Sequence, residues 1–185
     1  MTGRWQMIAA LTLCVAIFAV NWGALDAAQS MISGELPLTT VTLMMVIWAY
    51  PLALLAVLIP VRGRLSVLLY GLTAFGLTSA VGAVAVGGGM LIACRLGQGL
   101  AAAIVLRAGF ELTRTHFRGT TWWPALVAPA VVALLGQLAG PVIGGAVTWY
   151  FGFRFVLLLG MPLAFIAVLA VALCTPRTHP APNHP

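Results

Sequence analysis

Six stretches of mostly apolar residues follow one another along this chain. Each is close to the ~20 residues that a helix needs to cross the hydrocarbon of a bilayer. They cover residues 5–28 (with continuation toward Ser33), 39–60, 66–86, 90–110, 124–147 and 153–174. With short connections they use up nearly all of the 185 residues, so no soluble domain fits beside them. Lipid offers no hydrogen bonds, and a helix satisfies its backbone within one segment. The predicted fold class is therefore all-α: a polytopic membrane protein built as a six-helix bundle. Charge content agrees. Only 6% of residues are charged, against roughly 25% in ordinary soluble domains, too few to cover a soluble surface.

The ends of the chain follow the same logic. Arg4 precedes an apolar run to Leu25, longer than the 7–15 residues of a signal-peptide core. It reads as the first spanning helix. From Thr175 onward, Pro176, Pro180, Pro182 and Pro185 mark residues 175–185 as a disordered tail.

The net charge is +6, and all nine basic residues are arginine. They are scattered between apolar segments and do not cluster on one face, so they point to topology and not to nucleic acid. With alternating spans, Arg4, Arg62, Arg64, Arg114, Arg118 and Arg177 share one side. The other side holds Asp26 or Glu35, Gly87 to Gly89, and Trp149 to Gly152, with Arg154 alone among the basic residues. Both termini are expected in the cytoplasm. Arg114, His116 and Arg118 are assigned to a basic loop. Trp122, Trp123, Trp149 and Tyr150 read as interfacial anchors, whereas Trp48 and Tyr50 lie deeper and are expected to pack inside.

Cys14, Cys94 and Cys174 match no zinc, haem or redox spacing. No metal and no cofactor is expected. His116, His179 and His184 all fall in predicted loop or tail, and there is no HExxH and no pair of intramembrane aspartates. An enzyme is not expected.

Three features stand out from the apolar background. In span five, Gly136, Gly140 and Gly144 recur every four residues, followed by Gly145. Such a stripe lets a neighbouring backbone approach closely, which is also what ordinary small-residue packing does. Pro141 removes a backbone donor there and is expected to loosen or kink the helix. In span four, Arg95 lies one to two turns inside the membrane with Gln98 three residues on, on the same face. A charge at that depth costs at least ~2.5–3.5 kcal/mol. It either snorkels to the outer surface or turns inward with Gln98 toward a cavity or proton path. Near the outer end of span one, after Asn21, stands Asp26. A lone carboxylate in a low dielectric resists ionisation and a nearby arginine favours it, a competition that suits a proton-coupling group. The alternative is that Asp26 sits ionised among headgroups.

These residues carry a family resemblance. Gly136-Gln-Leu-Ala-Gly140-Pro141-Val-Ile-Gly144-Gly145 resembles the antiporter motif GxxxGPxxGG of the major facilitator superfamily at every specified position. Leu91-Ile-Ala-Cys-Arg95-Leu-Gly-Gln98-Gly99-Leu-Ala-Ala-Ala103 is similar to the fourth-helix motif of that family. Ala24-Leu25-Asp26 followed by Leu36-Pro37 resembles the first-helix motif of its fourteen-helix drug/proton antiporter branch, two residues longer. Fainter echoes are Trp48-Ala49-Tyr50 with Pro60, Gly63-Arg64-Leu65, and Phe153-Arg154-Phe155 before Met161-Pro162-Leu163. The likeness runs in order over nearly the whole chain and corresponds to the N-terminal six-helix half of such a transporter.

The resemblance implies a small-molecule or drug efflux permease working by proton antiport as a half-size unit. It implies a homodimer or pairing with a second transporter half, a small lipophilic or cationic substrate, protons, and a lipid bilayer as partner. Asp26, Arg95 and Gln98 become the expected coupling residues. Gly136, Gly140, Pro141, Gly144 and Gly145 become the helix-packing motif that seals the bundle interface, and Gly63 and Arg64 the cytoplasmic gating loop. Departures favour a second reading, a non-transporting accessory or structural subunit of the same half fold. Gly63-Arg64-Leu65 runs straight into Ser66, without the aspartate and several residues of the family's loop. Arg107 stands where the family has proline, and is expected to pair with Glu111 one turn on. Ala27-Ala28-Gln29 replaces the usual residues after Asp26.

Overall fold

The computed structural model describes residues 2–35, 38–116 and 123–174. Those residues form six helices and no strand: α1 (Thr2–Glu35), α2 (Thr40–Leu54) prolonged by a 3-10 turn (Leu55–Leu58), α3 (Leu65–Ala83), α4 (Gly88–His116), α5 (Trp123–Phe151) and α6 (Phe153–Cys174). Each holds a segment long and apolar enough to cross a membrane: Ile8–Gln29, Thr40–Leu58, Leu65–Ala83, Gly88–Thr115, Val127–Phe151 and Phe153–Leu173. The protein is a multi-pass, all-α membrane protein. The expected tail 175–185, Arg118, Trp122 and the Leu36-Pro37 pair lie outside the described residues. The side chains of Arg4, Glu35, His116, Trp123 and Cys174 lie outside them too.

Several boundaries differ from those expected of the sequence. Helix α4 continues to His116, so Arg114 is helical and not part of a loop. Helix α5 runs to Phe151 and takes in Trp149 and Tyr150. Hydropathy registers only the part of a helix immersed in lipid, whereas backbone hydrogen bonding carries the helix on into the polar zone. Gly88 and Gly89 open α4 instead of forming the turn before it. Helix α5 stays helical through Pro141, which does not interrupt it. Trp48 is 59% exposed, contrary to the expectation that it packs inside, while Tyr50 is 1% exposed. Two residues apart on a helix point about 200° apart, so one side chain faces in and the other out.

Turns are closed by specific groups. The Thr39 hydroxyl caps α2 by accepting from the Thr42 amide at 3.2 Å. Gly152, at φ 87°, takes a left-handed conformation that separates α5 from α6. Arg154 then reaches back and donates from Nη1 to the carbonyls of Ala83 and Ala85 at 3.0 and 3.2 Å. Those carbonyls lie at the C-terminal end of α3, where a cation is favoured by the helix dipole.

Helix α1 packs chiefly on α5 and α6, α4 chiefly on α2 and α3, and α3 on α6. Exchanging helices one to three with helices four to six leaves this pattern unchanged. That is the neighbour relation of a three-plus-three inverted repeat, which the sequence does not display. Helices α1 and α4 form the centre, with 56% and 50% of their most apolar windows buried, against 22% for α2 and 17% for α5.

The core is layered. One apolar cluster contains Cys14, Phe18, Tyr50, Leu72, Phe75, Val105 and Ala167. A second contains Leu25, Ile32, Val46, Leu91, Phe153 and Leu157. Along α1, α3, α4 and α6 the two clusters are separated by Asn21, Ser79, Arg95 with Gln98, and Gly160. A thin polar layer thus crosses the middle of an otherwise apolar bundle.

Candidate functional site

The polar layer is built around one guanidinium. Arg95 sits two turns into α4 and is 1% exposed. It turns inward, so the snorkelling alternative does not hold. Its Nη1 donates to Gln98 Oε1 at 2.7 Å and to Asn21 Oδ1 at 3.4 Å. The first distance is that of a strong charge-assisted bond. The second lies beyond the usual range for N–H···O and is weak. Gln98 Nε2 donates in turn to Ser79 Oγ at 2.8 Å. Gln98 and Ser79 are fully buried and Asn21 is 2% exposed.

Two aromatic rings and a glycine complete the surroundings. The Arg95 Cζ lies 5.0 Å from the centroid of the Tyr50 ring on α2, within cation–π range. Tyr50 in turn lies 6.0 Å from the Trp22 ring on α1. On α6, Gly160 presents no side chain. A Cβ there would collide with Ser79 Oγ and come within 2.9 Å of Asn21 Nδ2. Five of the six helices therefore converge on this one charge.

Asp26 stands beside the layer and not in it. It is half-buried and accepts a hydrogen bond from Gln29 Nε2 at 3.3 Å. No hydrogen bond or ion pair joins it to Arg95 among the described residues, yet the two charges interact electrostatically. Arg95 Nε has no acceptor. The guanidinium thus bonds only neutral partners among the described residues. Of the sequence-predicted coupling residues, the structure brings Arg95 and Gln98 into direct contact and leaves Asp26 as a neighbour. Sequence reasoning missed Ser79, Gly160 and the bonding role of Asn21. A hydroxyl or amide in the middle of an apolar span was the only available signal.

The glycine stripe of α5 faces α1. A Cβ at Gly140 would lie 2.6 Å from Gly23 Cα and 2.8 Å from Ala24 N, and one at Gly136 would lie 2.9 Å from Ala19 Cβ. At Gly144 it would overlap the backbone of Ala24. The stripe packs on α1 within the same bundle, so it joins α5 to the helix that bears Asn21 and Asp26. Gly145 falls off the stripe and meets only Ala27 Cβ, at 4.0 Å. Pro141 contributes its ring to this contact, with Cδ 3.1 Å from a Cβ built at Gly23.

The short α2–α3 connection docks on the far end of α4. A Cβ at Gly63 would lie 2.7 Å from Glu111 Cβ and 3.0 Å from the Leu112 amide. Arg64 is exposed at the N-terminus of α3. Arg107 and Glu111 form the expected ion pair at 2.8 Å. Among the described residues no cluster of histidine, cysteine and carboxylate side chains has the makings of a metal site.

A helical membrane bundle of inverted-repeat pattern, with a buried charge in its middle layer, has the architecture of a transporter bundle. No protein-family model matches the chain. It is 32% identical over 180 residues to the cephamycin export protein CmcT of Amycolatopsis lactamdurans, covering 90% of this chain and 37% of that protein. It is 27% identical over 188 residues to a lincomycin resistance protein of Streptomyces lincolnensis, covering 98% and 39%. An uncharacterized MFS-type transporter of Mycobacterium tuberculosis is 32% identical over 153 residues, covering 76% and 25%. The chain therefore spans less than two fifths of the length of these relatives. It belongs to the major facilitator superfamily (MFS) of membrane transporters.

Proposed function

We propose that the chain is one half of a proton-coupled efflux permease for small lipophilic or cationic compounds. It works in a bacterial inner membrane with both termini in the cytoplasm. It pairs with a second copy of itself or with another transporter half, since alternating access needs two bundles rocking about a midplane site. The observation that carries this reading is the buried Arg95, held by Gln98 in the middle layer with the half-buried Asp26 in electrostatic reach. Asp26 takes up and releases the proton. Arg95 sets how readily it does so, and Gln98 fixes Arg95. The names of the relatives, an export protein and a resistance protein, support efflux as the direction.

The test is uptake into inside-out proteoliposomes driven by an imposed pH gradient, with ethidium, lincomycin and a cephamycin as probes. The wild-type chain accumulates at least one of them, and Asp26→Asn abolishes the gradient-driven part. Absence of transport by a properly inserted dimer sinks the reading. One feature favours a non-transporting subunit: the loop at Gly63-Arg64-Leu65 lacks the aspartate of the resembled gating loop. On that reading Asp26→Ala and Arg95→Ala together leave the protein's cellular role intact.

A further inference from the structure

Arg95 is a long, flexible cation on a helix that offers it several orientations. In the structure it has one, set by a partner on its own helix and by residues on other helices. The bond to Gln98 comes from its own helix, three residues along. A glutamine amide on its own can rotate and present either its oxygen or its nitrogen. The guanidinium, which can only donate, selects the oxygen, and Ser79 holds the other end of the amide. Ser79 Oγ accepts from Gln98 Nε2 at 2.8 Å, which anchors the amide while Oε1 takes the guanidinium bond. The Asn21 contact at 3.4 Å is too long to hold Arg95 by itself.

Ser79 is in turn kept in place by the close approach of α6. Gly160 lies so near that an added Cβ would overlap Ser79 Oγ and crowd Asn21 Nδ2. A side chain at Gly160 would force one or both of these polar groups to move. Ser79 and Gln98 are fully buried at this site. A half-satisfied polar network costs more than an apolar core, so the three groups stand or fall together.

We propose that Ser79 and Gly160 are positioning residues for Arg95. Ser79 anchors the nitrogen end of the Gln98 amide so that the oxygen bonded to the guanidinium stays in place, and Gly160 allows α6 to close over both. This rests on the proposed role of Arg95 in coupling, and it names the residues on α3 and α6 through which that role is maintained.

The test uses the full chain in lipid nanodiscs with 15N-labelled arginine. A guanidinium held by hydrogen bonds rotates slowly about its Cζ–Nη bonds and gives resolved Nη–H signals. Arg95→Lys assigns the signal by removing it. The expected result is that Ser79→Ala and Gly160→Ala each abolish the resolved Arg95 signal, while Asn21→Asp, which keeps an acceptor on α1, retains it. In proteoliposomes Ser79→Ala lowers the transport rate about tenfold, the factor that 1.4 kcal/mol represents, in line with one buried hydrogen bond left unmade. Because the predicted collision is with the serine oxygen, Ser79→Ala with Gly160→Ala is less defective than the two losses combined. An Arg95 signal unchanged in Ser79→Ala overturns the proposal. If that variant fails to insert, an unchanged signal in Gly160→Ala does the same. A wild-type chain that shows the signal and its loss in Ser79→Ala, yet moves no probe, overturns the efflux reading and leaves the positioning role standing.

Discussion

Gly140→Ala tests the packing of α5 on α1 and separates glycines that look equivalent in the motif. The new Cβ would lie 2.6 Å from Gly23 Cα and 2.8 Å from Ala24 N. Carbon atoms in contact prefer about 3.5–4.0 Å, so the helices must part by about 1 Å along this line. The atoms met are backbone, which no rotamer change can move aside. Overpacking of this kind costs about 1–3 kcal/mol. The same substitution at Gly145 meets only Ala27 Cβ at 4.0 Å, an ordinary contact, and should stay within about 0.5 kcal/mol of wild type. Reversible unfolding in mixed micelles of increasing SDS content reads both variants, with helix content followed by circular dichroism. The expected outcome is a drop of about 2 kcal/mol for Gly140→Ala and no change for Gly145→Ala. The reverse order, or equal effects at both sites, would mean that the stripe faces another partner and that α5 does not sit on α1 as described.

Arg107→Ala should lower unfolding free energy by less than about 1 kcal/mol in the same assay. Its ion pair with Glu111 is about a quarter exposed on each side, and pairs of that kind are worth little. A loss above about 2 kcal/mol, beyond the range of such pairs, would show that the pair holds the Gly63 connection onto α4. Topology is checked with Val86→Cys in a Cys174→Ala background. Val86 is 84% exposed, while the native thiols Cys14 and Cys94 are 1% and 6% exposed. A membrane-impermeant maleimide should label intact cells only when they carry the Val86→Cys substitution, and labelling confined to inside-out vesicles would reverse the proposed orientation.

The number of helices was legible because the bilayer imposes a length and a composition on each span. The Arg95–Gln98 contact was legible because i and i+3 share a helix face. Ser79 was not. A hydroxyl in a transmembrane helix commonly bonds its own backbone, as Thr78 does to the Ala74 carbonyl at 2.8 Å, and nothing in the sequence marks Ser79 as different from its neighbour. The two differ only in direction. One residue of rotation turns Ser79 toward α4 and α6, and that direction is fixed by tertiary packing. Gly160 was hidden for the same reason. Its lack of a side chain matters only because α3 and α1 present polar atoms opposite it. The glycine stripe was legible as a close-approach surface, but the identity of the approaching helix was not, since period four names a face and not a partner.

Arg95 is tolerable in the bundle because its cost is spread over several helices. Placing a guanidinium in a membrane span costs at least ~2.5–3.5 kcal/mol on insertion scales. A charge-assisted bond such as that to Gln98 contributes about 1.5–3 kcal/mol, and a buried cation–π contact such as that with Tyr50 about 2 kcal/mol. These terms balance the insertion cost to within a few kcal/mol without any carboxylate in contact. A carboxylate bonded directly to Arg95 would be tied up as its counter-ion. Because Gln98, Asn21 and Tyr50 contact the cation instead, Asp26 has no direct bond to Arg95, which in the proposed antiport cycle leaves it available to exchange a proton.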